Sequence, residues 1–308
     1  MSANVYFSST CFEGNFFNTS PSLHMLHKEL ECKNIELSGG SKYLAKEDII
    51  KFLHILKQEN YNFLIHNYFP PPKENFILNF AADKNMGFHN AMFLFVEALE
   101  MCALFNVPYY SFHPGYLANN GKESDDGQFC FTKTSLRDYS EANKIFIQNV
   151  QEMHSISKRY SVALAIENLF INPQGIKTSL NNNFEELDQL LSCLPDDVGV
   201  LLDLGHLNVS SHFLKFNKYT YIENLITKYR DRIYELHLSE NDGIMDQHLL
   251  LENDSWQIEI LSFFADCKGF QKKGLNVTVE SRRIPIAKMN ELYFCIRNNL
   301  TKKCYIEV

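Results

Sequence analysis

The sequence predicts an α/β protein, a single (β/α)8 TIM barrel over residues 1–308. Three observations carry this. Short apolar runs alternate eight times with longer segments of helical period, which implies a parallel sheet closed on itself. The runs are nearly continuous in apolar residues, as strands buried on both faces must be. No internal repeat or linker divides them. The alternative is an open, doubly wound sheet. Against it stand the count of eight and the absence of a Gly-rich phosphate loop after any strand.

The elements follow in order. Asn4–Ser9 is the first strand, followed by a helix from about Ser22 to Glu31. Lys33–Leu37 is the second strand, stopped by Ser38-Gly39-Gly40. Lys46–Asn60 is an amphipathic helix with Ile49, Ile50, Leu53, Ile55 and Leu56 on its apolar stripe. Asn62–His66 is the third strand, ahead of Asn67-Tyr68-Phe69-Pro70-Pro71-Pro72 and a long helix over Asn85–Phe105. Tyr109–His113 is the fourth, ending in His113-Pro114-Gly115. The polar stretch Tyr116–Thr134 is long enough to act as a flap, since loops beyond about 15 residues in a compact domain are usually functional or mobile. Leu136–Tyr160 is a helix, Val162–Glu167 the fifth strand and Phe184–Cys193 a helix. Val198–Asp203 is the sixth strand, running straight into Leu204-Gly205-His206, with a helix at Tyr221–Tyr229. Ile233–Leu238 is the seventh, broken by the turn-forming run Ser239-Glu240-Asn241-Asp242-Gly243. Trp256–Cys267 is a helix, Asn276–Glu280 the eighth strand and Ile286–Asn299 the closing helix.

Composition narrows the function classes. A chain that is 45% hydrophobic and 13% aromatic can fill a large core. No apolar run approaches the length of a membrane span, and no charged-then-apolar segment opens the chain. Eight scattered cysteines without a Cys-x-x-Cys pair read as reduced thiols, which points to a cytoplasmic protein. A formal charge of -8 leaves no broad footprint for nucleic acid, so a nucleic-acid partner is disfavoured.

The barrel turns scattered residues into one site, because active sites of this fold lie at the C-terminal ends of the strands. In strands three to eight those ends carry His66, His113, Glu167, Asp203, His237 and Glu280 in turn. His206, Asp246 and His248 stand just beyond them. Alone, a histidine at a strand end is ordinarily a core or turn residue, and a glutamate a cap or ion-pair partner. Six metal-ligand residues at six successive equivalent positions point instead to a divalent metal. Such a site suits proton transfer at a carbon next to a carbonyl, with the metal polarising the oxygen. Glu167 and Glu280 would move the proton, and Arg282 and Arg283 would hold a phosphate or hydroxyl, or form surface ion pairs. Tyr68, Phe69 and Phe112 are either apolar walls of the site or barrel core.

The runs His66-Asn67-Tyr68, Phe112-His113-Pro114-Gly115, Ile166-Glu167-Asn168 and Leu202-Asp203-Leu204-Gly205-His206 carry a resemblance. With His237-Leu238-Ser239, Asp246-Gln247-His248 and Val279-Glu280-Ser281-Arg282, they resemble the xylose isomerase-like TIM-barrel superfamily in order and spacing. That group includes sugar and sugar-phosphate isomerases and epimerases and the endonuclease IV nucleases. The epimerase branch implies one manganese or similar ion on Glu167, Asp203, His237 and Glu280. There the two glutamates also shuttle the proton, and His206 contacts substrate. The nuclease branch implies three zinc ions. The first would sit on His66, His113 and Glu167, and the second on Glu167, Asp203, His237 and Glu280. The third would sit on His206, Asp246 and His248.

Departures separate the branches. The nucleases usually carry Asp-Thr-Cys-His where this chain has Asp203-Leu204-Gly205-His206, and Glu-Asn-Thr-Ala-Gly where it has Glu167-Asn168-Leu169-Phe170-Ile171. Both branches usually carry Gly-Glu-Gly where this chain reads Leu251-Glu252-Asn253. Asp-Leu-Gly-His and the Asn-Asp-Gly before Asp246 look more like the epimerase branch. The favoured expectation is therefore a metal-dependent isomerase or epimerase of a sugar, sugar phosphate or related polyol, with one to three ions. A zinc phosphodiesterase acting on abasic DNA comes second, and an inactive binding module third. Whether the chain forms a homo-oligomer stays open.

Overall fold

A computed structural model describes residues 4–12, 29–39, 42–84, 87–119, 121–123, 129–266 and 274–301. Its first four strands are β1 (Asn4–Ser8), β2 (Asn34–Leu37), β3 (Asn62–His66) and β4 (Tyr109–Phe112). A small antiparallel hairpin, β5 (Lys122–Glu123) with β6 (Phe129–Cys130), lies in the long loop that follows. Then come β7 (Ala163–Glu167), β8 (Val198–Asp203), β9 (Ile233–Leu238) and β10 (Asn276–Val279). Eight of these close a parallel barrel in the order β1-β10-β9-β8-β7-β4-β3-β2. The expected (β/α)8 architecture is thus observed. Pairing in register sets Asp203 beside His237 and Thr278 beside His237 on the other side, so polar residues of neighbouring strands share one level.

The helices are α1 (Lys46–Gln58), α2 (Phe88–Phe105), α3 (Tyr139–Tyr160), α4 (Phe184–Ser192), α5 (Leu204–Leu214), α6 (Lys218–Tyr229), α7 (Trp256–Glu259), α8 (Leu261–Asp266) and α9 (Ile286–Thr301). Side-chain oxygens of Asp138, Asn183, Asp203 and Asn217 accept from first-turn N–H groups of α3 to α6, satisfying donors that a helix start leaves open. One expectation needs correcting. α2 is long and apolar enough to cross a membrane by length and composition. It is a core helix instead: Phe88, Ala91, Leu94, Phe95, Ala98, Leu99 and Phe105 are buried.

Other elements differ from expectation or lie outside the described residues. The helix expected over Ser22–Glu31 lies almost wholly outside the described residues. The segment expected as one helix from Trp256 is two short ones, parted at Ile260, and Cys267 is not among the described residues. The strands expected to reach His113 and Glu280 stop at Phe112 and Val279, so both residues open their loops. α5 escapes sequence reading altogether. Gly205 is a poor helix former, and the first two turns of α5 are buried nearly all round, which erases an amphipathic signature. Asp203 starts the helix by accepting the His206 N–H at 2.6 Å.

Candidate metal centre

Three of the expected residues gather at the C-terminal mouth around His237. Its Nδ1 faces Glu280 Oε2 at 3.3 Å, Glu167 Oε1 at 3.8 Å and Asp203 Oδ2 at 3.8 Å. Glu167, Asp203 and His237 are wholly buried. Asp203 divides its work: Oδ1 caps α5, which leaves Oδ2 turned into the cavity without a hydrogen-bond partner. Asn168 locks this arrangement, donating to the Asp203 carbonyl and accepting the Asp203 N–H at 2.9 and 2.8 Å. Asn181 donates to the Glu167 carbonyl at 2.9 Å.

Glu167 has two faces. Oε2 lies 3.4 Å from His66 Nε2 and 3.1 Å from His113 Nε2, while Oε1 turns toward His206 and His237. His66 reaches this position because its Nδ1 is hydrogen-bonded to Ser111 Oγ at 3.0 Å, which leaves Nε2 for the cavity. His113 Nδ1 is held by the Asn67 side chain at 3.1 Å in the same way. A third group lies toward α5. Asp246 Oδ2 sits 2.8 Å from His248 Nε2 and 3.4 Å from His206 Nε2. His206 Nδ1 donates to the Asn168 carbonyl at 2.8 Å, so again one ring nitrogen is tied to the frame and the other faces inward. All nine candidate ligands therefore lie in three adjoining groups, the first two of which share Glu167.

A divalent cation fits this donor set. Buried polar groups normally find partners, yet both Glu167 oxygens, Asp203 Oδ2, His237 Nδ1, Asp246 Oδ1 and His248 Nδ1 have no hydrogen-bond partner. Each of the groups His66–His113–Glu167 and Glu167–Asp203–His237 brings its ligand atoms within 4.8 Å of one another. Imidazole and carboxylate together are what zinc, manganese and similar ions take.

Electrostatics in the cavity set burial against the mutual attraction of acids and imidazoles. Burial alone would raise the Glu167 carboxyl, but His113 and His66 hold it well below the usual range. Glu280 is likewise opposed by burial and brought down to about 2 by His237 and His248. Burial pushes Asp203 up to about 6, against the pull of His206. Burial also opposes charge on the imidazoles. Even so, Asp203 and Asp246 keep His206 well above its ordinary value, and Asp246 carries His248 up to about 9. Burial dominates at His66 and takes it down to about 3. A metal bound here must displace protons from imidazoles.

Sequence reading missed Glu36. It stands in β2, wholly buried, with Oε2 2.9 Å from His237 Nε2. The available signal was an acid inside a short apolar strand. Ser111, Asn67, Asn168 and Asn181 were missed too, and nothing local distinguishes such framing residues from turn formers. Phe69 and Phe112 prove to be core: Phe112 is buried against Phe80 and Tyr110. Tyr68 is half-buried, with its hydroxyl donating to the Phe76 carbonyl and accepting the Leu78 N–H. Arg282 and Arg283 are exposed beside the mouth, the Arg282 N–H donating to the His248 carbonyl at 3.0 Å. The loop expected as a flap begins on an anchored base, where Arg137 donates to the carbonyls of Ala81, Tyr116 and Leu117.

Comparison with known proteins gives the family. The model of the xylose isomerase-like TIM barrels matches residues 27–288. The chain belongs to that family. An uncharacterized protein of Methanocaldococcus jannaschii is 26% identical over 155 residues, 50% of this chain and 49% of that one. The chain thus spans about half the length of the curated relative it matches. Among solved structures, a D-tagatose 3-epimerase-like protein superposes with a TM-score of 0.71 at 17% identity, over 96% of this chain and 98% of that one. Endonuclease IV from Thermus thermophilus superposes with a TM-score of 0.59 at 15% identity, over 96% of this chain and 98% of that one. Similarity at this level concerns the fold, and both branches share it.

Proposed function

We propose that the chain is a divalent-metal-dependent isomerase or epimerase, moving a proton at a carbon next to a carbonyl in a sugar, sugar phosphate or related polyol. The observation that carries this reading is the set of three carboxylates around His237 Nδ1, two of them glutamates held in the ionised form. Asp203 and His237 would serve as ligands only. When bound, the ion supplies Lewis-acid polarisation of the substrate carbonyl. Glu167 ends β7 and Glu280 directly follows β10, strands three places apart in a barrel of eight, so the two approach a bound sugar from different sides. One, ionised, would take the proton from the carbon; the other would first take a proton from solvent and then return it to the opposite face, so that the two exchange protonation states over the reaction. His206 contacts a substrate oxygen and is braced by Phe170, whose ring centre lies 4.8 Å away. Arg282, exposed at the rim, would take a phosphate or hydroxyl at the far end of the substrate.

A second reading is favoured by the two outer ligand groups, which one ion does not need. With His66 and His113 on one side and His206, Asp246 and His248 on the other, three zinc ions would make a phosphodiesterase. The test is direct. Metal-loaded protein is incubated with a panel of ketoses and aldoses in heavy water and followed by NMR. Exchange of a carbon-bound hydrogen in one of them, with no incision of abasic DNA, is the expected result. No exchange in any sugar, together with metal-dependent incision, reverses the order of the two readings.

A further inference from the structure

The interior of a (β/α)8 barrel is ordinarily filled by layers of branched apolar side chains. Here the layer beneath the metal ligands is partly acidic. Glu36 is wholly buried in β2, and one of its oxygens, Oε1, has no hydrogen-bond partner. Its other oxygen meets His237 Nε2 at 2.9 Å. Glu235 also approaches that nitrogen, at 3.7 Å, but it is already engaged. It accepts from the hydroxyls of Thr278 and Tyr109, and Asn276 holds Tyr109 in turn at 2.8 Å. Glu36 is thus the near and dedicated partner of His237.

We infer that Glu36 is a positioning residue, whose carboxylate fixes the His237 ring so that Nδ1 is the atom presented to a metal ion. This rests on the metal-centre reading above. A histidine ring turned by half a rotation about its outer bond exchanges nitrogens for carbons. In this cavity the turned ring would leave the Nε2–H and a wholly buried carboxylate unpaired, which is costly. The hydrogen bond therefore selects both the ring orientation and the nitrogen that carries the proton. A carboxylate on the far nitrogen also makes the near one a better donor. Glu36, His66 and His237 also bring ligand atoms within 4.8 Å of one another, so the test must separate a positioning role from ligation.

The test is a double-mutant cycle read as metal affinity. Zinc and manganese are titrated separately against a competing chelator, using wild type, Glu36→Gln, Glu36→Leu, His237→Ala and the combined variants. Loss of a ligand-orienting partner weakens binding by about 10–100-fold. Glu36→Gln, which keeps an acceptor oxygen, should fall near the lower end, and Glu36→Leu near the upper. With His237→Ala already present, either change at position 36 should alter affinity by less than about twofold. A full additive loss in that background makes Glu36 a ligand in its own right and overturns the assignment. Unchanged affinity in both single variants does so too. A second readout needs no metal: a downfield ring N–H proton resonance present in wild type, absent in His237→Ala and lost in Glu36→Leu. If wild type shows that resonance but binds neither ion, the metal reading fails while the contact stands. If the resonance survives in Glu36→Leu, the contact is wrong whatever the metal does. Glu36→Gln is nearly isosteric and keeps the cycle decisive should the leucine variant fail to fold.

Discussion

Replacing Asp203 by asparagine should make the metal-free protein more stable and at the same time remove its response to metal. The two effects come from different oxygens. Oδ1 caps α5 through the His206 N–H, and asparagine keeps that acceptor. Oδ2 is the buried oxygen turned toward His237, and asparagine puts a neutral group there. Burial raises the Asp203 carboxyl from 3.8 to about 6, with Glu167 and Asp246 adding to the rise and His206 and His237 opposing it. A raised acid costs the folded state nothing below the lower value, progressively more between the two, and the full difference above the upper. At neutral pH, at roughly 1.4 kcal/mol per pH unit, that penalty is about 3 kcal/mol. That value already includes the opposing pull of His206 and His237, so about 3 kcal/mol is the upper bound and a net gain of roughly 1–3 kcal/mol is expected at pH 7.5. At pH 4 the gain should nearly vanish. The assay is urea denaturation with a chelator and again with excess zinc or manganese. Wild type should be stabilised by the ion and Asp203→Asn should not be. A chelated variant less stable than wild type at pH 7.5, or one with full metal content, refutes this account of the residue.

Four further outcomes follow from the same geometry. Glu280→Gln keeps one oxygen ligand but no base, so it should retain much of its metal while hydrogen exchange into the sugar falls about a hundredfold to ten-thousandfold, as read by NMR in heavy water. His248 is raised to about 9. Its stabilising charge is fully present below about 6.5 and lost as pH rises through 9, so thermal midpoints of chelated wild type should fall across that window and those of His248→Ala should fall less. Asp246→Asn disrupts only the group with His206 and His248, so the ion at Glu167, Asp203, His237 and Glu280 should remain by elemental analysis, and its loss would mean that the groups are not separable. At Gly205 a methyl group would meet Ser239 Oγ at 2.8 Å and its carbonyl at 3.1 Å. Gly205→Ala should therefore lose roughly 1–3 kcal/mol in denaturation by forcing the start of α5 from the loop after β9.

The order of strands and helices was legible in the sequence because each strand is a short apolar run and each helix a longer periodic one, and both signals are local. The level of the site was legible for a related reason. A parallel barrel puts every strand's C-terminal end on one face, so His66, Glu167 and Asp203 could be grouped before any distance was known. Tertiary structure alone decided what each of them meets. That Glu167 turns one oxygen to His66 and His113 and the other toward His206 and His237 depends on how β3, β4, β8 and β9 are staggered, which no local pattern encodes. Glu36 and His237 stand 201 residues apart in the chain and on opposite sides of β1 and β10, yet share a hydrogen bond across the barrel. Composition allows a glutamate in an apolar strand to be an edge residue, a packing fault or a partner. Only closure of the barrel, which removes it from water and sets it against an imidazole, makes it the last of these.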